Sequence, residues 1–133
     1  MDGIGVLINR MCDEGFDIES YVGQRITDAE INDNEQLVLS FGDRKLFIYD
    51  AGQSCCEYRH MSTDDEIRDL VGRKFLDVVE KEYISQDDDY DCHEELFMEV
   101  RAEESWITLV NHNEHNGYYG GFWLRIDDNG SRY

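Results

Sequence analysis

The chain has 133 residues, of which 31 are acidic and 12 basic, for a formal charge of −19. That length and a 41% hydrophobic content suit one compact domain with a real core, while the charge argues against general affinity for nucleic acid or anionic membranes. No run approaches the roughly 18 apolar residues that cross a bilayer, the N-terminus lacks the basic region of a signal peptide, and the expected compartment is the cytoplasm.

Ile4, Leu7, Ile8 and Met11 fall at helical spacing before Gly15 and predict a short amphipathic helix. A helical turn over 17–21 and a strand over 25–31 follow. Leu37–Phe41 and Leu46–Tyr49 flank a Gly42-Asp43 turn and predict a hairpin, supported by β-branched and aromatic residues in alternation. Thr63-Asp64-Asp65-Glu66 has the form of a capping box and predicts a helix through Leu70. Strands are expected at 74–82, 96–101, 106–110 and 122–126. Residues 85–95, with the run Asp87-Asp88-Asp89-Tyr90-Asp91, are expected as an acidic mobile loop, without the central glycine of a twelve-residue calcium loop. Residues 127–133 are expected as a flexible tail.

Residues 17–29 and 66–78 carry one pattern at an offset of 49, setting Ile18, Val22, Gly23 and Asp28 over Ile67, Val71, Gly72 and Asp77. The fold predicted is therefore α+β: an antiparallel sheet of six or seven strands built from two β-rich repeats, about 17–60 and 66–121, with two or three short helices.

The repeat also organises the chemistry. Cys55-Cys56-Glu57-Tyr58-Arg59-His60 follows the last strand of the first half, and Asn111-His112-Asn113-Glu114-His115-Asn116-Gly117-Tyr118 follows that of the second. Equivalent positions predict that the two loops meet, which leaves several readings open. Cys55, Cys56, His112 and His115 are candidate zinc ligands, although the vicinal cysteines do not have regular zinc-site spacing, and no other cofactor is expected. A cysteine with His112 or His115 could form a nucleophile pair, but the acidic surroundings oppose a low thiol pKa, so an enzyme is the less favoured reading. Arg59, His60, Asn111, His112, Asn113, His115, Asn116 and Tyr118 could line a pocket for a nucleotide-like ligand. The plain structural reading is that asparagines and glycines form turns over a sheet end.

The stretches YDAGQSCCEYRHMSTDD and NHNEHNGYYGGFWLRI resemble those of a family of small domains found widely in bacteriophage genomes and phage-related bacterial loci. The resemblance spans roughly Val22 to Ile126 and implies an origin, without an activity to transfer. With the charge, it leads to the expectation of an acidic inhibitor of a host defence or nucleic-acid-processing protein, acting in the host cytoplasm by occupying a basic nucleic-acid-binding site. The expected contacts are Asp64, Asp65, Glu66, Asp69, Asp87, Asp88, Asp89 and Asp91.

Overall fold

A computed structural model describes residue 12 and residues 16–52, 57–87, 92–115 and 121–130. Eight strands are formed: β1 (Asp28–Ile31), β2 (Leu37–Phe41), β3 (Arg44–Asp50), β4 (Tyr58–Ser62), β5 (Phe75–Asp87), β6 (Cys92–Ala102), β7 (Ser105–His115) and β8 (Leu124–Asp127). They build two antiparallel four-stranded sheets, ordered β1-β2-β3-β8 and β4-β7-β6-β5. The protein is thus mainly β, and the predicted single sheet of six or seven strands is two sheets.

The duplication accounts for this layout. Each half supplies three consecutive strands to its own sheet, and the next strand crosses to the other: β4 pairs with β7, and β8 pairs with β3. The halves also touch through equivalent residues. Arg25 and Lys74 form an isolated antiparallel bridge. Around it, Gly23 donates to the Phe75 carbonyl and Gly72 to that of Ile26, while Ile26 donates to Arg73 and Phe75 to Gln24. Adding 49 to the first-half partner and subtracting 49 from the second-half partner of the first bond in each pair generates the second, as a local twofold axis requires. Gly23 and Gly72 have φ of 84° and 87°, a left-handed conformation that glycine adopts without a Cβ penalty.

Alternation along the strands buries Leu37, Leu39, Leu46, Ile48 and Ile126 of the first sheet with Met61, Phe75, Val78, Met98, Val100, Ile107 and Leu109 of the second in one shared core. Each such aliphatic side chain contributes about 1.5–3 kcal/mol through removal from water. Phe41 and Phe75 meet edge to face across it, with ring centroids 6.0 Å apart.

Two local expectations are corrected. The predicted helices are only 3-10 turns among the described residues, Ile18–Ser20 and Ile67–Leu70, and the predicted helix at residues 4–11 lies outside them. The capping box does not form because its side chains hold a strand: Thr63 Oγ1 donates to the Thr108 carbonyl at 2.6 Å, and Asp65 Oδ2 accepts the Thr108 N–H at 2.7 Å. Side chains thereby continue the β4–β7 pairing past its last backbone pair. The expected acidic loop is largely strand, since the β5–β6 ladder continues to Asp87 opposite Cys92. Glu94, the buried carboxylate of this stretch, takes hydrogen bonds from Tyr83 and from the Gly121 N–H and lies 2.8 Å from His115 Nε2. Of the expected tail, Asp127 closes β8 and binds the N–H groups of Asn129 and Gly130.

Candidate functional site

β4 and β7 run side by side, with Tyr58 opposite Glu114, His60 opposite His112, and Met61 opposite Asn111. The described parts of the two segments expected to meet, Tyr58–His60 and His112–Glu114, do so here, as paired strands instead of facing loops. Because side chains alternate along a strand, the pairing sorts them onto two faces.

The outer face carries a row of rings. Tyr58 stacks on His60 at 4.6 Å between centroids, and His60 stacks on His112 at 4.3 Å with their planes 2° apart. His93, from β6, comes next, its Nε2 lying 3.0 Å from His112 Nδ1. The three imidazoles can present one nitrogen each within 4.8 Å of one another. Polar groups surround them: Ser62 Oγ is 2.7 Å from His112 Nε2, Glu114 Oε2 is 3.0 Å from His60 Nε2, and Glu95 Oε2 is 3.8 Å from His112 Nδ1. Burial, followed by the neighbouring His60, holds the His112 pKa below the ordinary imidazole value, which favours the neutral form able to act as a ligand.

The core-facing side is closed. Arg59 donates to Asp50 at 2.6 Å and grips Glu57 with two nitrogens, at 2.9 and 3.3 Å. It also reaches the Gly121 carbonyl, which Asn113 shares, and Asn113 donates to Glu57 as well. Asp50 in turn accepts the N–H groups of Gly52 and Trp123. This network joins the end of β3 to β4, β7 and the segment leading into β8. Nearby, burial pushes the Glu94 carboxyl up, but the hydrogen bonds from Tyr83, Gly121 and His115 outweigh it and hold the group below its ordinary value.

The predicted pocket does not assemble as one site. His60 and His112 point outward, whereas Arg59, Asn111, Asn113 and His115 lie on the opposite face, where Asn111 donates to the Met98 sulfur. Arg59 is held by two carboxylates and is not available to a phosphate. Asn116 and Tyr118 lie outside the described residues, as do Cys55 and Cys56. His112 and His115 cannot share an ion from opposite faces. His93 was missing from the sequence-level ligand set because it lies in the segment read as a loop; the strand alternation of 92–102 was the signal that could have placed it.

A cleft of about 450 Å³ lies beside the Arg59 network, against β5 and β6, lined by Glu80, Tyr83, Leu96, Gly121, Phe122, Trp123 and Leu124, none of them among the residues predicted to line the pocket. Of the expected acidic contacts, Asp64, Asp65, Glu66 and Asp69 are exposed beside the 3-10 turn at the Thr108 end of β7. Asp87 is the last residue of β5, at the opposite end of the ladder, and Asp88, Asp89 and Asp91 lie outside the described residues. Among the described residues, the acidic positions at 64–69 and at Asp87 therefore lie at opposite ends of the second sheet. Among the described residues no helix is long and apolar enough to cross a membrane.

No curated protein and no solved structure matches the chain. A family model described as a domain of unknown function, DUF7448, matches residues 19–124. The match runs from the first 3-10 turn into β8, taking in both sheets, the strand exchange and the histidine face. The chain belongs to the DUF7448 family.

Proposed function

We propose that this chain is a small anionic binding protein of bacteriophage type that inhibits a host defence or nucleic-acid-processing protein by occupying its basic nucleic-acid-binding surface. The observation that carries this reading is the disposition of charge. Arg59, Arg68, Arg73 and Arg101 pair with carboxylates of the chain itself, and Arg25 and Arg44 bond to backbone carbonyls. These six arginines are thus engaged by groups of the chain itself, several of them at the surface, while Asp64, Asp65, Glu66, Asp69 and Glu114 stay exposed.

The outer face of the second sheet suits such docking. Tyr58 and Trp106 are 61% and 62% exposed there, Tyr58 directly opposite Glu114 and on the same face as Glu95, which supplies an apolar anchor beside acidic groups. The eleven residues of β6 extend about 33 Å, close to one turn of duplex DNA. A basic groove shaped for that span would meet a surface of similar length and opposite charge. A nucleotide-like ligand is less favoured, because Arg59, the cation that would have met its phosphate, is already neutralised.

The test is competition. Host proteins captured on the immobilised chain should be released by duplex DNA, and affinity should fall tenfold or more between 50 and 200 mM salt. Reversal of Asp64, Glu66, Asp69 and Glu114 to lysine should abolish capture while far-UV circular dichroism stays unchanged. Capture indifferent to salt and to duplex DNA would sink the reading.

A further inference from the structure

We propose that His112, His93 and Glu95, completed by His60, form a site for one divalent first-row transition ion of the zinc class on the outer face of the second sheet. The site uses none of the cysteines; it shares Tyr58, Glu95 and Glu114 with the docking face but rests on the histidine geometry alone.

Three imidazoles already converge, His60, His93 and His112 each presenting one nitrogen within 4.8 Å of the others. His112 Nδ1 lies 3.0 Å from His93 Nε2 and 3.8 Å from Glu95 Oε2. A tetrahedral ion with bonds of about 2.0–2.1 Å keeps its donors about 3.3 Å apart, so these two distances need to change by only a few tenths of an ångström. Two imidazoles and a carboxylate are a donor set that suits zinc and its neighbours more than calcium or magnesium.

The groups behind these donors are those a metal site needs. Ser62 Oγ occupies His112 Nε2, which directs Nδ1 towards His93 and Glu95. Glu114 holds His60 by its Nε2 in the same way. The strands fix the spacing: Glu95 stands directly opposite His112 on β6, and His60 directly opposite it on β4. His60 is the adjustable member. Its ring lies parallel to His112 at 4.3 Å, so it must tilt out of the stack to bring a nitrogen to the ion. Binding therefore breaks the His60–His112 stack and disturbs Tyr58, which stacks on His60.

The experiment is calorimetric titration of the full metal-stripped chain with Zn²⁺ at pH 7.5, with Co²⁺ absorption as a second reading. One ion per chain is expected, with tetrahedral cobalt bands and a shift of the Tyr58 ring signals in NMR. His93→Gln and His112→Gln should each weaken binding at least tenfold, His60→Gln less, and the double change Cys55→Ser/Cys56→Ser should leave it intact. Far-UV circular dichroism checks that each variant is folded. Absence of a saturable site, unchanged affinity in His93→Gln and His112→Gln, or loss of binding in the cysteine variant would each overturn the proposal.

Discussion

Tyr58 and His60 differ from Arg59 and Met61 by one step along β4, and that step separates two kinds of chemistry. Arg59 and Asn113 face the core, and their charges and amides are bound to Asp50, Glu57 and the Gly121 carbonyl. His60, His112 and Glu114 face out, where stacked rings and carboxylates lie on a surface that neither sheet of the described residues covers. Sequence neighbours thus have opposite roles: one face ties the sheets together, and the other is open to a ligand. The period of two, not proximity in sequence, decides which residue has which role.

The sharpest way to break this comparison is at Arg59. Its side chain is 9% exposed, and the carboxylates it holds, Asp50 and Glu57, are 8% and 1% exposed. Arg59→Met would fill much of the same volume but leave two buried carboxylates without their cation. Removing one partner of a buried ion pair costs about 3–5 kcal/mol, a large share of a small domain's stability. Chemical denaturation at pH 7 should read a loss of that size, together with weakened closure of β8 on β3, since Asp50 also accepts the Trp123 N–H. A loss below about 1 kcal/mol would mean that the inner network does not hold the sheets together.

Asp77 sharpens the contrast because it is a charge poorly served on the other face. It lies opposite Arg101 on β5, is 5% exposed, and its Oδ1 makes no hydrogen bond, with Arg101 Nε 3.9 Å away. Arg101 is instead bonded to Glu99 at 2.6 Å. Burial raises the Asp77 pKa above the ordinary carboxylate value, more than Arg101 lowers it. The sign follows: a carboxyl whose folded pKa is raised destabilises the fold above the unfolded pKa of about 3.9, and the penalty vanishes below it. Asp77→Asn should therefore stabilise the protein by about 1 kcal/mol at pH 7, and the gain should shrink to nothing as the pH falls towards 3. A gain that persists at acid pH would point to packing instead of charge.

Much of the strand pattern was legible because alternation reports burial directly. Leu37, Leu39, Leu46 and Ile48 mark the inner positions of β2 and β3, and the two glycines of the repeat mark the two left-handed turns. The strand exchange was not legible, because alternation fixes a strand's faces but not which neighbour it pairs with. The capping box misled because its residues do favour a helix locally, and only Thr108, 43 residues from Asp65, offers them better partners. The histidine site was half visible. His60 and His112 were expected to meet, but His93 lay among acidic residues whose satisfaction depends on Tyr83, His115 and Gly121, which come from other parts of the chain.

The smallest expected effect is at His60, and it tests whether the outer face is free of structural duty. His60 sits on the edge strand of the second sheet, between the rings of Tyr58 and His112, with Glu114 at its Nε2. Its side chain is 22% exposed and Glu114 is 46% exposed, so water can replace what each loses. Cross-strand ring and ion pairs of this kind contribute roughly 0.2–1 kcal/mol. His60→Gln keeps a hydrogen-bonding group and the aliphatic stem, and should lower the unfolding free energy read by chemical denaturation by about 0.5 kcal/mol or less. That is several times smaller than the loss at Arg59, one residue earlier on the same strand. Equal losses at the two positions would show that the stacked histidines help hold β4 to β7, and the division of labour between the faces would fail; a near-neutral result leaves the ring row available for a ligand at little cost to the fold.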